Sequence, residues 1–273
     1  MAADTAALYR SFICKTGILY VILASTTVVA QSRDCNRNCL SNTLDVYLSA
    51  VIGHDPVAAP LFIGFRQTEN AIVVPPGGGM WRSATGLGKV QRRYFDPLTG
   101  QAAYFGIVME GASAAIVTVR IEVQRGEITE AEWYIGRQGD PGINGPAAPG
   151  EQGSNLFDLD NLIAYPPPER TVPVSERLSR DALIAVTNSY FDGITSHNGD
   201  IIMAHSGCVR IENGFQTTGR PLPADRLDDG HEGKGDCTSG MSGFSIALVA
   251  ARRYPLVDEE AQVVLGAAVF LRE

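Results

Sequence analysis

The sequence predicts an α+β fold made of two pseudo-repeated, cone-shaped halves, each with helices packed on a curled antiparallel sheet. Three observations predict it. Tyr47, His54, Glu69 and Asn70 recur 143 residues later as Tyr190, His197, Glu212 and Asn213. Each copy of this set begins on a stretch with helical spacing and leads towards stretches rich in Val, Ile and Tyr. A run dominated by Gly and Pro separates the copies. Self-similarity at a fixed offset is the mark of a duplicated unit, and two copies are too few for a solenoid. Leu40 and Leu183 extend the match upstream, Asp55 becomes Asn198, and Arg66 and Arg210 stand one position out of register.

In the first half, residues 39–53 carry Leu40, Leu44, Tyr47, Leu48 and Val51 at helical spacing, with Gly53 as a stop. Asp55-Pro56 then reads as the N-cap and first residue of a short second helix. From Ala71 the period changes. Ala103–Val108, Ala114–Val123 and Glu132–Ile135 read as long antiparallel strands divided by Gly-containing turns. Half one, residues 31–138, is therefore helices followed by sheet. Residues 139–174, opening on Gly139-Asp140-Pro141-Gly142 and including Pro166-Pro167-Pro168, read as a linker. Half two, residues 175–273, starts with an N-cap at Ser179 and a helix over 180–193. A Gly-rich loop at 214–243 follows, then strands at 244–251 and 261–271 around a turn at Pro255–Glu260. Arg92-Arg93-Tyr94 and Arg252-Arg253-Tyr254 precede matching turns. Half two has no counterpart of the strands near 114–135 and is incomplete.

Residues 1–30 read as a secretory signal peptide. Arg10 and Lys15 precede the apolar run Thr16–Ala24, and Val28-Val29-Ala30 offers a small-residue cleavage site. The run is shorter than the roughly 20 residues of a bilayer span, so no stable membrane span is expected. Residues 1–30 hold one acid, Asp4, and two bases, so cleavage moves the net charge from −8 to −9. An acidic chain with three lysines is unsuited to nucleic acid. Cys35, Cys39, Cys208 and Cys237 remain after processing, an even set that suits an oxidising compartment. Three pairings are open. Cys208–Cys237, which would close a Gly/Asp-rich loop, is the first choice. Zinc held by His197, His205, Cys208 and Cys237 lacks a close C-x-x-C pair, so no metal is expected. No Walker loop, nucleophile elbow or dinucleotide fingerprint is present, and Gly77-Gly78-Gly79 lacks the Lys-Ser/Thr of a phosphate loop. Cofactor-free chemistry or plain binding is what remains.

Leu44–Pro56, Thr68-Glu69-Asn70, Gly79-Met80-Trp81, Gly106-Ile107-Val108 and Ile128–Glu132 resemble the nuclear transport factor 2-like, or SnoaL-like, cone fold. With Tyr190–Gly193, Cys208–Gly214 and Arg252–Glu259, the whole of 35–272 resembles a secreted fungal family of two such halves. A narrower likeness is to fungal hetero-Diels–Alder cyclases, which join a tropolone quinone methide to a sesquiterpene alkene. No motif in this chain separates those enzymes from the wider family.

The resemblance implies a deep apolar pocket in each cone, closed by helices and holding a few convergent polar groups. In half one the candidates are His54 as general acid/base, with Asp55 or Glu69 to orient or charge-pair it. Arg66 and Asn70 are candidates to bind a carbonyl or developing enolate oxygen. Trp81, Tyr104 and Trp133 are the candidate aromatic lining. The competing reading makes His54-Asp55-Pro56 a helix cap and the two Glu-Asn pairs devices that tie down helix ends or strand edges. Two functions follow. One is a cofactor-independent cyclase, isomerase or lyase acting on an apolar, oxygenated polyketide or terpenoid. The other is a secreted protein that binds a small molecule or a partner without chemistry. A homodimer is a further expectation.

Overall fold

The computed structural model describes residues 35–141, 156–219 and 235–272. The expected signal peptide and part of the expected linker lie outside these residues. Helix α1 (Arg37–Ile52) begins two residues before the apolar spacing predicts, because the Asn36 side chain accepts from the Cys39 amide and caps it there. A Cys35–Cys39 disulfide ties the cap to the first turn. Leu40, Leu44, Tyr47, Leu48 and Val51 form its buried stripe. After Gly53, His54 takes a left-handed φ of 56°, and Asp55 caps a short 3-10 turn, Pro56–Ala58, by accepting from the Val57 amide.

The second copy repeats this path residue for residue. Helix α4 (Arg180–Thr195) starts and ends 143 positions after α1, with Ser179 as the predicted cap. His197 has φ 55°, and Asn198 caps the 3-10 turn Gly199–Ile201. Asn70 (φ 47°) turns the hairpin β1 (Leu61–Glu69) to β2 (Ile72–Val74). Asn213 (φ 45°) does the same in a shorter hairpin, Ile211–Glu212 to Phe215–Gln216. Asn is among the few side chains that enter the left-handed region at low cost. The repeated His and Asn residues therefore mark backbone corners.

In half one, the short helix α2 (Met80–Ser83) leads into β3 (Gly86–Asp96), β4 (Gln101–Glu110), β5 (Ser113–Gln124) and β6 (Glu127–Arg137). The six strands pair in the order β2-β1-β6-β5-β4-β3. The meander is antiparallel as predicted, but β1 runs parallel to β6. Helix α2 carries the chain from the hairpin across to the far edge at β3, and such a crossover permits parallel pairing.

The remaining strands, numbered on from Ile211–Glu212 (β7) and Phe215–Gln216 (β8), are β9 (Ile246–Asp258) and β10 (Val263–Arg272), paired with each other. Strand β9 continues through Pro255, where the sequence predicts a turn. Pairing jumps there from Leu256↔Leu265 to Arg253↔Ala267, and the bulge houses a proline that has no amide to give. A Cys208–Cys237 disulfide ties the segment just before β7 to the segment that leads into β9, across a sequence separation of 29. Closing a loop of this length stabilises by about 3–4 kcal/mol in the chain-entropy account.

The curled sheet has two apolar faces. Its inner face packs on α1 around Tyr47, Trp81 and Trp133. On its outer face, Val90, Ile107 and Ile116 receive Leu162 of α3 (Leu159–Ala164), a helix inside the stretch that composition reads as linker.

The halves are joined reciprocally. Arg37, first in α1, makes a two-pronged ion pair with Asp258 at the end of β9, and Asp258 accepts from the Phe95 amide in β3 at 2.8 Å. Arg180, first in α4, reaches Asp96 at the end of β3, and Asp96 accepts from the Val257 amide in β9 at 3.1 Å. Both aspartates are buried. Each half thus supplies the arginine for the other's carboxylate, as in a two-fold interface folded into one chain.

Candidate functional site

The interior of the first cone is a packed, hydrogen-bonded aromatic cluster. Tyr47 meets Trp81 edge-on with ring centroids 5.5 Å apart and lies 6.3 Å from Trp133. Trp133 Nε1 donates to Tyr47 Oη at 2.9 Å, Tyr47 Oη donates to Gln67 Oε1 at 3.0 Å, and Trp81 Nε1 donates to the same oxygen at 2.7 Å. Gln67 Nε2 in turn donates to Glu69 Oε1 at 3.2 Å. Burial pushes the Tyr47 hydroxyl far above its ordinary range. Tyr104 is fully buried, donates to the Ile107 carbonyl at 3.0 Å, and is shifted upwards by burial as well. A satisfied buried network of this kind fixes one arrangement of the core. Trp81, Tyr104 and Trp133 are fully buried, and none of them lines the clefts described below.

The polar candidates are held mainly by backbone groups. His54 is exposed, and its Nδ1 donates to the Trp81 carbonyl at 2.5 Å. Asp55 is exposed at its cap, and Arg66 is exposed on β1. Glu69 is half-buried, and its Oε1 accepts from the Met80 amide at 2.7 Å, at the start of α2. Burial raises its carboxyl above the ordinary range, with Met80 and Arg137 opposing. Gly79 makes this seat: it has φ 55°, and a Cβ there would lie 2.1 Å from Glu69 Oε1. Asn70 clamps β6, its Nδ2 donating to the Ile135 carbonyl at 3.0 Å and its Oδ1 accepting from the Ile135 amide at 2.8 Å. His197 likewise contacts a backbone carbonyl, that of Ile246 at 2.9 Å. In half two, Arg210 stands at the position equivalent to Gln67 and makes an ion pair with Glu212 at 3.3 Å.

Open space lies on the outer face of the sheet. One cleft of about 590 Å³ runs between β5–β6 and the second half. Phe105, Ile116, Ile135, Leu162 and Ile211 form its apolar walls, and Thr118, Tyr134, Arg137 and Asn213 bring polar groups to it. Thr118 and Tyr134 are directly opposed across β5 and β6. Both repeat asparagines border this cleft. Asn213 lies over Gly136, where a Cβ would come within 2.9 Å of its Oδ1. A second cleft of about 910 Å³, between Leu87, Ile107, Phe157 and Ile163, shares Arg137 with the first. Arg137 donates from Nε and Nη2 to Glu110 at 2.7 and 2.9 Å, which holds the Glu110 carboxyl below its ordinary range. Strand alternation predicts that Thr118 and Tyr134 share a face, but nothing local tells which face is open.

Among the described residues no group of three His, Cys, Asp or Glu converges to hold a metal. The bond between Cys208 and Cys237 removes two of the ligands considered for zinc. No helix among them is long and apolar enough to cross a membrane.

Residues 176–272 match a family model described as a domain of unknown function, DUF8021. No curated protein matches. Among solved structures, a putative ketosteroid isomerase from Kribbella flavida DSM 17836 is similar at 16% identity and TM-score 0.32, covering 38% of this chain and 83% of that one. An NTF-2 like protein of unknown function from Burkholderia xenovorans LB400 is similar at 13% identity and TM-score 0.31, covering 41% and 89%. A protein of unknown function with a cystatin-like fold from Methylobium petroleophilum PM1 is similar at 16% identity and TM-score 0.32, covering 51% and 99%.

Proposed function

We propose that this chain is a secreted protein that binds an apolar, oxygenated small molecule in the cleft between the sheet and the second half. The observation that carries the reading is the lining. Apolar side chains line much of a space of about 590 Å³, and Thr118, Tyr134 and Asn213 are among its polar residues. That size and balance suit a small-molecule site. The buried aromatic cluster of half one supports placing the ligand outside it.

A catalytic form of this reading is a cofactor-independent cyclase, isomerase or lyase of secondary metabolism. Its most specific version is a hetero-Diels–Alder cyclisation of a quinone methide onto a sesquiterpene alkene. Two clefts meeting at Arg137 favour it, because such a reaction needs two apolar partners held side by side. The contribution of the chain would be proximity and a hydrogen bond to the quinone oxygen. The rival placement uses His54, Asp55 and Glu69 as acid/base groups, with Arg66 and Asn70 on the substrate oxygen.

The test titrates anilinonaphthalene sulfonate as a fluorescent probe, with Thr118→Trp to fill the cleft and His54→Ala as the comparison. The Thr118 side chain makes no hydrogen bond among the described residues, so the indole fills the cleft without removing one, and the backbone pairing of β5 is kept. The expected result is a loss of at least roughly tenfold in probe affinity for Thr118→Trp, about 1.4 kcal/mol, at an unchanged melting temperature, with His54→Ala unaffected. Unchanged binding in Thr118→Trp with loss in His54→Ala would move the site to the rival placement.

A further inference from the structure

The Arg-Arg-Tyr triplet stands twice in the chain, ahead of the buried aspartates Asp96 and Asp258, and the two copies are used differently. In half two every member is spent inside the protein. Arg252 donates to Asp192 and Asn188, Arg253 makes a two-pronged bond to Glu132, and the Tyr254 hydroxyl donates to Asn188 Oδ1 at 2.6 Å. In half one the Tyr94 hydroxyl makes no hydrogen bond among the described residues, although the side chain is half-buried. Burial pushes this hydroxyl above its ordinary range, so it stays a protonated donor at neutral pH.

Tyr94 lines a third cleft, of about 360 Å³, bounded by β3, the start of α1, residues 168–171 and the turn between β9 and β10. Arg37, Arg92, Arg93 and Arg170 also line it, and its one acid, Glu169, is already paired with Arg92. Three of the arginines are committed in part. Arg37 is held by Asp258 and Glu260. Arg92 spends Nε and Nη1 on the Pro167 and Gln91 carbonyls and on Glu169, which leaves its Nη2 without a bond. Arg93 gives Nε to Asp45, and its two Nη atoms reach only Gln91 Oε1, at 3.4 Å each. Arg170 is uncommitted: it is exposed and makes no hydrogen bond or ion pair among the described residues, and neither does the Thr171 hydroxyl beside it. The groups left over in this cleft are donors, and no free carboxylate lines it to answer them.

We infer that this cleft binds a small organic anion through a carboxylate or phosphate group, held by Arg170 and Arg92 with a hydrogen bond from Tyr94. The planar fork of a guanidinium matches the oxygens of either group, and bonds to such charged acceptors are stronger than neutral ones. The chain as a whole carries a net charge of −8, so the attraction is local to the cleft and does not come from the field of the molecule. The second Arg-Arg-Tyr copy shows that the fold can satisfy this triplet internally, and the first copy does not. The cleft shares no lining residue with the one of about 590 Å³, so the inference stands apart from the function proposed above.

Calorimetric titration of the purified chain with citrate and with inorganic phosphate, at matched ionic strength, tests it. At least one of the two is expected to bind saturably below about 10 mM, with the dissociation constant raised at least roughly tenfold in Arg170→Ala and roughly threefold in Tyr94→Phe. Arg82→Ala, which removes an exposed arginine outside the cleft, is expected to bind as the wild type does. Tighter citrate assigns the cleft to carboxylates, and tighter phosphate assigns it to phosphate esters. Absence of saturable binding overturns the inference, as does unchanged affinity in Arg170→Ala or an equal loss in Arg82→Ala. Should Arg170→Ala fail to fold, amide NMR of the wild type decides: shifts centred on 92–94 and 169–171 uphold the site, and shifts centred elsewhere overturn it.

Discussion

Glu69 holds a carboxylate where burial disfavours its charge, and this gives it a testable pH signature. Its folded pKa lies above the ordinary value, so over the window between the two the native state keeps a proton that the unfolded chain has lost. Stability contributed by the protonated form is therefore lost as pH rises through that window. Glu69→Gln keeps an oxygen to accept from Met80 and Gln67 and removes the titration. Melting temperatures measured from acid to neutral pH should shift in favour of Glu69→Gln as pH rises; parallel curves would contradict the assignment. Glu110 works in the opposite sense, since Arg137 lowers its pKa and its contribution is lost on acidification. At this scale the sequence was partly legible. The set Tyr, His, Glu, Asn was visible as a repeat; that its His and Asn members stand at left-handed corners, His54, Asn70, His197 and Asn213, was not. Gln67, which links Tyr47, Trp81 and Glu69, had no signal of its own, because its partners are distant in sequence.

The helices and strands were read from local rules wherever local rules decide them. Ser179 and Asp55 cap as their types predict, and the meander alternates as its Val and Ile content suggests. Illegible elements were those fixed by contacts across the chain. The parallel placement of β1 depends on where α2 delivers the chain, and α3 folds because Leu162 finds the outer sheet face. The reciprocal bond between halves belongs to this class. Arg37→Ala leaves buried Asp258 with backbone donors alone, and Arg180→Ala strips Asp96 of its guanidinium. Each substitution should cost about 2–3 kcal/mol, the range of a hydrogen-bonded charged pair. In a calorimetric melt this is a drop of about 5 °C or more, while Arg82→Ala on the surface changes little. Equal melting temperatures for all three would show that the halves are held together elsewhere.

At the scale of the whole molecule, duplication has given the two copies unequal structures. The first has a six-stranded sheet around a buried aromatic cluster, and the described part of the second has two two-stranded ladders, of which β9–β10 packs on α4. Joined through Arg37–Asp258 and Arg180–Asp96, they leave a cleft that neither half has alone, bordered by both repeat asparagines. The pocket expected inside the cone and the cleft between the halves make different predictions for methyl groups. Ile116, Leu162 and Ile211 line the cleft, whereas Leu44, Val119 and Ile121 belong to the cone interior. The most direct measurement is a methyl-resolved NMR titration with anilinonaphthalene sulfonate. Saturable shifts at Ile116, Leu162 and Ile211, with Leu44, Val119 and Ile121 unmoved, are what a ligand site between the halves predicts. Shifts centred on Leu44, Val119 and Ile121 would contradict it and return the site to the cone.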